Sequence, residues 1–333
     1  MSTKSDQSTT DELTGEVSKS ARRRNSVAKW ALFGCAFVTV LTTLAIFWVL
    51  ISNAFSFFTD VTLWQFVTGT DATQRVGVVE FLTSTHWDPN HPSNPGFGIW
   101  PLLSATLLIT VLGAFVSIPI GTATAIYLSE YARPRTRKYL KPTLEILAGV
   151  QTIVYGFFAI SFVTPVLLNG ILFRPFGIEA GRMNALSGAI AVGIMTIPIV
   201  ASISEDAITA VPDDLKNGAY AMGASKYQVA ISVIVPAAVS GILASYILAV
   251  SRAIGETMAV TLAAGATANF TANPLAEVQT MTAYMVQRVR GTSSVGTVEF
   301  QSLFAVGLAL FVITFAMNML NDYVKRRYRE EYR

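Results

Sequence analysis

Two charged residues interrupt an otherwise apolar stretch of this sequence and could do chemistry there. Arg252 and Glu256 lie in the run SRAIGETMAV, and the 25 residues before Arg252 contain no Asp, Glu, Lys, Arg or His. Residues four apart share one face of a helix, where opposite charges pair. A guanidinium also offers a forked set of donors that fits a tetrahedral oxyanion. The sequence therefore leaves two interpretations: a structural ion pair, or an anion site in which Glu256 orients Arg252 and moderates its hold.

The neighbours of this pair fit either interpretation. Ser251 and Thr257 flank it and could add hydroxyl contacts to a bound anion. Small hydroxyl residues are also common where membrane helices pack together. We therefore include both as candidate residues of a substrate pathway, together with Arg252 and Glu256.

The elements that must position these side chains are membrane helices. The chain has 333 residues, of which 52% are hydrophobic and only 14% charged, whereas soluble domains carry roughly 25% charged residues. The mean hydropathy of +0.49 points the same way. This composition excludes an ordinary soluble domain and predicts an all-α polytopic membrane protein.

Six apolar segments are each long enough for the roughly 20 residues that a spanning helix needs. The polar residues 1–26 are too poor in large apolar side chains to fold alone, so we expect a disordered tail there. The transmembrane domain would then cover residues 27–325, followed by a short basic tail, 326–333. The six predicted spans are residues about 28–55, 101–128, 143–168, 185–204, 233–264 and 301–322.

The distribution of lysine and arginine predicts the orientation of these spans. With six spans, 18 of the 24 Lys and Arg residues fall on the side of both termini and 5 on the other side. The positive-inside rule then places both termini in the cytoplasm. Counted from Pro236 along a straight helix, Arg252 lies about 24 Å into the bilayer, beyond the midplane of a core roughly 30 Å thick. A charge at that depth is expected to face a cavity or the bundle interior.

The basic loop 129–142 carries five of these cations and leads into the third span. Glu145 opens that span, beside Lys141 and Arg137. We interpret Glu145 as a carboxylate at a helix N-terminus with basic neighbours. The basic run itself is expected to follow from the topology and from contact with lipid headgroups.

The loop 205–232, between the fourth and fifth spans, is predicted to form two short helices with a turn between them. Pro212 followed by two aspartates is a favourable helix start, because acids stabilise the positive end of the helix dipole. Gly223 can adopt the left-handed conformation that ends a helix, and a second helix begins near Ser225 and runs toward Pro236. Such a pair can lay a surface into a groove of a partner. An ordinary connecting loop is the alternative.

The spacing in this loop resembles the signature loop of ABC importer permeases. In those proteins Glu-Ala-Ala is followed by three residues, Gly, nine residues and Ile-x-Leu-Pro. Here the same frame reads Asn217-Gly218-Ala219, then Gly223, then VIVP ending at Pro236. The glycine and the proline hold their places, whereas Asn217 and Gly218 depart from the signature.

Three further stretches make the resemblance more specific. They are EILAGVQTIVYGFFA at 145–159, SRAIGETMAV at 251–260 and FLTSTHWDP at 81–89. Together with the loop they resemble the PstC type of permease subunit in Pst-type phosphate importers. The resemblance covers roughly residues 28–325.

This resemblance implies a type I ABC importer permease fold and a set of partners. The chain would pair with a PstA-like permease, bind two cytoplasmic ATPase subunits through loop 205–232, and receive inorganic phosphate from an extracytoplasmic phosphate-binding protein. The ATPase would hold ATP and magnesium, so the chain would be no enzyme and would bind no cofactor or metal itself. Membrane lipid is the remaining partner, and no nucleic acid is expected. A permease for another oxyanion and an ion-coupled secondary transporter are the alternatives.

Overall fold

The computed structural model describes residues 19–59, 76–91, 95–291 and 297–327 of the chain. Helices make up most of this part. The helices are α1 Lys19–Phe58, α2 Val78–Thr83, α3 Trp100–Ile126, α4 Pro134–Gly149, α5 Thr152–Phe158, α6 Ala185–Thr209, α7 Asp213–Ala221, α8 Lys226–Ala237, α9 Val239–Ile254, α10 Met258–Ala263, α11 Met281–Arg290 and α12 Val298–Arg327. Two of them continue as π-helical segments, α3 through Tyr127–Tyr131 and α5 through Ala159–Leu172, and a 3₁₀ turn follows α5 at Arg174–Phe176.

The structure corrects the predicted boundaries of both tails. α1 begins at Lys19, so residues 19–26 are helical, while residues 1–18 lie outside the described part. At the other end α12 continues to Arg327, and residues 328–333 lie outside the described part. Lysine, arginine and alanine are good helix formers, which is why a membrane helix can extend into these polar sequences.

The described residues divide into two units, the first ending at Ser52 and the second beginning at Asn53. In the described part of the first unit, α1 exposes its large apolar side chains, among them Trp30, Phe37 and Leu44. Its stretch Asn25–Phe58 is long and apolar enough to cross a membrane. Apolar surface of this length is what the hydrocarbon core of a bilayer covers.

The second unit is built on the extensive contact of α3 with α6. Gly113 on α3 and Gly193 on α6 face each other across it. A Cβ atom at Gly193 would lie 2.9 Å from the Cβ of Val116 and 3.0 Å from the carbonyl oxygen of Gly113, which is closer than packed atoms tolerate. Small residues let membrane helices approach to this degree. The contact fixes α6, which forms one wall of the candidate site.

A hairpin and a set of aromatic rings join distant segments of the second unit. Strand β1, Trp87–Asp88, pairs antiparallel with β2, Gly96–Phe97, so that Trp87 lies opposite Phe97. Trp87 also packs edge-to-face on Tyr284 of α11, with ring centroids 4.9 Å apart. Aromatic pairs in this geometry attract beyond the area they bury. They tie the segment before α3 to the segment before α12.

The all-α membrane fold is confirmed. In the described part of the chain, five helices are long and apolar enough to cross a membrane, and the bent pair α8–α9 makes a sixth candidate. The unbent candidates are Asn25–Phe58, Trp100–Tyr131, Thr152–Leu172, Ala185–Thr209 and Val298–Val324.

The third span begins later than the predicted 143–168. Residues Pro134–Gly149 form the separate helix α4, and Val150 and Gln151 after it are extended, with ψ of 132° and 137°. The apolar span is Thr152–Leu172. The basic first half of α4 explains the difference, because charged side chains are costly within the hydrocarbon core.

The fifth predicted span, 233–264, is broken at two places. α8 and α9 are bent by 72° at the break between them, Ala238. α9 then ends at Ile254, and α10 begins only at Met258. Pro236 cannot donate the hydrogen bond of a continuous helix. The segment SRAIGET consequently contains a helix end.

The contact between α3 and α6 can be tested at Gly193. We expect Gly193→Leu to lower the melting temperature of the purified protein, because inserting methylenes into a packed contact costs roughly 1–3 kcal/mol. Gly149→Leu is the matched control, since a Cβ at Gly149 would meet no atom within 4 Å. Thermal unfolding in detergent compares the two variants. Equal melting temperatures would contradict the close α3–α6 packing.

Candidate functional site

The predicted pair forms, but across the end of a helix. Arg252 lies in the last turn of α9, and its Nη1 donates to Oε2 of Glu256 at 3.0 Å. Glu256 lies in the break before α10, so the expectation that both residues share one continuous helix is wrong. The side chain of Glu256 is 2% exposed, whereas that of Arg252 is 43% exposed. The side chain of Arg252 is therefore partly accessible, while its guanidinium is hydrogen-bonded to the buried carboxylate of Glu256.

Glu256 also organises the break itself. Its Oε1 accepts a hydrogen bond from the backbone N–H of Ala259 at 3.3 Å, near the start of α10. The free N–H groups at a helix start need such acceptors. The backbone carbonyl of Glu256 accepts from the hydroxyl of Thr282 on α11 at 2.6 Å. Glu256 therefore connects α9, α10 and α11, so the structural and the anion-site interpretations are compatible.

Residues just before this break and residues within it line two different cavities. The first, of about 570 Å³, is lined by Ser251 and Arg252 and by Lys141 and Glu205; we call it the Lys141 cavity. The second, of about 600 Å³, is lined by Gly255, Thr257, Thr282 and Arg290, and we call it the Arg290 cavity. The segment from Arg252 to Thr257 belongs to the walls of both.

The structure separates the two flanking hydroxyl residues. Ser251 lines the Lys141 cavity, but its Oγ is buried and has no hydrogen-bond partner among the described residues. Thr257 lines the Arg290 cavity, and its hydroxyl donates to the carbonyl of Gly255 at 3.2 Å. The four candidate pathway residues thus straddle the break instead of lining one pocket.

The register of α6 against α9 gives the depth of Arg252. The two helices run antiparallel, and the hydroxyls of Ser204 and Ser245 lie 2.8 Å apart. Arg252 is seven residues beyond Ser245, about 10 Å along the helix, which brings it level with the middle of α6. The estimate counted from Pro236 does not hold, because the bend at Ala238 takes Pro236 out of the line of α9.

Sequence reasoning missed a second buried carboxylate, Glu205. Its side chain is 1% exposed, Arg137 donates to its Oε1, and the Nζ of Lys141 donates to its Oε2 at 2.7 Å. The hydrogen bond to Glu205 raises the pKa of Lys141 above its ordinary value, so this amine stays charged. The interpretation of Glu145 is wrong, because Arg137 and Lys141 bind Glu205, and Glu145 lies well inside α4. In the sequence, only the cation-rich loop 129–142 indicated that an acidic partner such as Glu205 exists.

The helix–turn–helix of loop 205–232 is confirmed. α7 starts at Asp213, directly after Pro212, and Gly223 has a left-handed φ of +83°. Ser225 then caps α8, since its Oγ accepts from the N–H of Gln228 at 3.4 Å and the Gln228 side chain accepts from the N–H of Ser225 at 2.8 Å. Such a capping box fixes where the second helix begins.

The predicted docking residues lie on both faces of this motif. Asn217 and Gly218 are exposed on α7, whereas Ala219 is buried. Pro236 lies in α8, two residues before the bend. Four large side chains of the motif are also exposed: Leu215, Tyr220, Met222 and Tyr227. The Nζ of Lys216 pairs with Oε1 of Glu130 at 3.0 Å and so links the motif to the end of α3.

These features define a class of protein: a multi-span helical membrane protein with a charged pair at a helix break. A family model described as binding-protein-dependent transport system inner membrane component matches residues 117–330, which is more than half of the chain. The chain therefore belongs to this family, and it is a permease subunit of an ABC importer.

Individual relatives agree with the family. The chain is 32% identical over 252 residues to a probable ABC transporter permease protein, YqgH, of Bacillus subtilis, covering 76% of this chain and 79% of that one. It is 31% identical over 265 residues to the phosphate transport system permease protein PstC of Mesorhizobium japonicum, covering 74% and 78%.

A solved structure supports the fold alone. A chain of the bacterial alginate ABC transporter, crystallised with alginate pentasaccharide-bound periplasmic protein, matches with a TM-score of 0.61. The alignment covers 91% of this chain and 96% of that chain at 13% sequence identity.

The roles of the pair predict a particular order of stabilities. Arg252→Gln should lower the melting temperature most, because it leaves the buried carboxylate of Glu256 without a partner. Breaking a fully buried pair costs roughly 3–5 kcal/mol, and less where one partner is half exposed. The double variant Arg252→Gln/Glu256→Gln should recover much of this loss, because no lone charge remains. Equal unfolding temperatures of the single and the double variant would contradict the pairing.

Proposed function

We propose that this chain is the PstC-type permease subunit of an ATP-driven importer of inorganic phosphate. The observation that carries the proposal is the half-exposed Arg252, held by the buried Glu256 at the helix break between two cavities. A guanidinium binds phosphate oxygens through charge-assisted hydrogen bonds. Relatives that are phosphate transport permeases favour phosphate over other oxyanions.

The carboxylate of Glu256 beside Arg252 suits a transport site better than a tight-binding site. An arginine without a counter-ion would hold a phosphate anion tightly, whereas a transport site must release it. Glu256 competes for the same guanidinium and so lowers its affinity for an incoming anion. Because it also caps α10, a change at the break would alter the arginine and the helix together. The conformational change of alternating access would therefore also change the Arg252–Glu256 pair.

The remaining components follow from the family. The chain pairs with a PstA-like permease, receives phosphate from an extracytoplasmic binding protein, and couples to two ATPase subunits that hold ATP and magnesium. Both termini lie in the cytoplasm, in keeping with the positive-inside rule. The ATPases bind the helix–turn–helix around Gly223, where the exposed side chain of Met222 offers an apolar contact.

The substrate assignment is tested with the neutral pair Arg252→Gln/Glu256→Gln. We expect the complex to assemble, but ATP-driven uptake of radiolabelled phosphate into proteoliposomes should fall at least about 100-fold. A forked contact loses two charge-assisted hydrogen bonds, each worth roughly 1.5–3 kcal/mol. Lys138→Gln, which removes an exposed cation on α4, is the control and should transport normally.

Three results would overturn this assignment. Normal uptake by the neutral pair would exclude Arg252 from the pathway. Uptake of sulfate but not phosphate by the unaltered complex would make the chain a permease for another oxyanion. Phosphate transport by the chain alone, without ATPase subunits, would make it an ion-coupled secondary transporter.

The docking assignment is tested at Gly223. A β-branched side chain strains a residue with left-handed φ, so Gly223→Val should distort the turn and reduce co-purification of the ATPase. Gly177→Val is a matched control, because Gly177 has a φ of +67°, also lacks atoms within 4 Å of a Cβ, and lies in a different loop. Retention of the ATPase by both variants, with normal coupling, would contradict the assignment.

A further inference from the structure

The Lys141 cavity contains a second cation that a buried carboxylate holds. Lys141 and Glu205 line it together with Arg252. The side chain of Lys141 is 37% exposed and that of Glu205 1%, close to the values for Arg252 and Glu256. The same arrangement therefore occurs twice at this cavity. In each case a partly exposed cation pairs with a buried carboxylate.

The two arrangements are separated along α6. Glu205 lies near the end of α6, whereas Arg252 is level with its middle. Eight residues of helix between these levels correspond to about 12 Å. A tetrahedral oxyanion cannot touch both at once, so the second arrangement would be a separate place for it to bind.

Two cations share the single buried carboxylate of Glu205. Arg137 and Lys141 occupy its two carboxylate oxygens, so two positive charges share one buried negative charge. Two further carboxylates oppose an anion. Asp206 Oδ1 lies 3.5 Å from the Nζ of Lys141 but is largely exposed, and Glu145 lines the cavity and is also exposed. Water and salt screen exposed charges, so these two carboxylates oppose an anion less than buried carboxylates would.

The helix that carries the two cations, α4, lies on the outside of the described part and packs against the core through Leu147. No residue of α4, all of which the structure describes, is buried. Its contacts include the ion pairs to Glu205 and the hydrogen bond from the Tyr155 hydroxyl to the carbonyl of Leu147 at 2.7 Å. An anion that competed with Glu205 for Lys141 would therefore also loosen α4 from α6.

We propose that Lys141 and Arg137, held by Glu205, form a second anion-binding site, from which phosphate leaves the cavity for the cytoplasm. This inference rests on the proposed function and adds an exit site to it. Phosphate released from Arg252 meets these cations about 12 Å further along α6. The opposing carboxylates keep its residence there short.

The test measures phosphate binding directly in the complete transporter in lipid nanodiscs. The single cysteine of the chain, Cys35, is replaced by serine, and Ser202→Cys places a thiol on the cavity wall. The neutral pair at 252 and 256 removes the first site. We expect inorganic phosphate to slow the reaction of this thiol with an anionic thiol reagent. In Lys141→Gln the half-protecting phosphate concentration should rise at least about tenfold, which corresponds to one charge-assisted hydrogen bond.

Two controls separate binding from a purely structural role. Lys138→Gln makes the same charge change on the same helix and should leave the protection unchanged. The triple variant Arg137→Gln/Lys141→Gln/Glu205→Gln leaves neither a buried carboxylate nor a cation without a partner, so it restores stability but not protection. If protection returned in the triple variant, the two cations would act only as structural partners of Glu205, and the exit site would be wrong.

Failure of this inference and failure of the proposed function give different results. Suppose that the unaltered complex imports phosphate, but that phosphate protects the thiol equally well in Lys141→Gln and in Lys138→Gln. The exit site is then wrong, while the proposed function is retained. If the complex imports a different oxyanion, and that anion protects the thiol in a Lys141-dependent way, the phosphate assignment falls and the site stands.

Discussion

A carboxylate removed from water must be paired, and this constraint shapes the interior of the protein. Glu256 and Glu205 are both almost fully buried, and each lies against a cation from another part of the chain or from beyond a helix end. Removing the cation that pairs with either carboxylate would leave a buried charge whose desolvation free energy is no longer compensated. Their pairing therefore fixes the position of Arg252 at the end of α9 and of α4 against α6.

The helix break beside Arg252 follows from the same pairing. Ending α9 at Ile254 leaves the first N–H groups of α10 without intrahelical acceptors. Glu256 supplies one acceptor and still binds Arg252 with its other oxygen. One carboxylate thus satisfies the backbone and the arginine together, which allows an irregular segment to exist between two cavities inside a membrane bundle. Irregular backbone at such depth is tolerated where it lines a cavity or is buried in protein.

The sequence predicted those features that depend on local pattern. The apolar spans, the start of α7 after Pro212, the left-handed Gly223 and the proximity of Arg252 to Glu256 all follow from neighbouring residues. The 72° bend after Pro236 was not predictable in the same way, because proline in a membrane helix permits a kink without requiring one. The partners of Glu205 lie more than sixty residues earlier in the chain, so no local spacing could reveal them.

Fold and substrate separate clearly in this protein. The chain of the alginate ABC transporter shares the fold at 13% identity, although that protein is described as a transporter of alginate. The helical framework therefore cannot define the transported molecule. In the proposed phosphate permease, the charges at the Lys141 cavity would select the anion. Arg252 and Lys141 are the cations, and the buried carboxylates of Glu256 and Glu205 pair with them. The same carboxylates would then affect both selectivity and release, because a counter-ion that weakens the binding of one anion also disfavours any ligand unable to displace it.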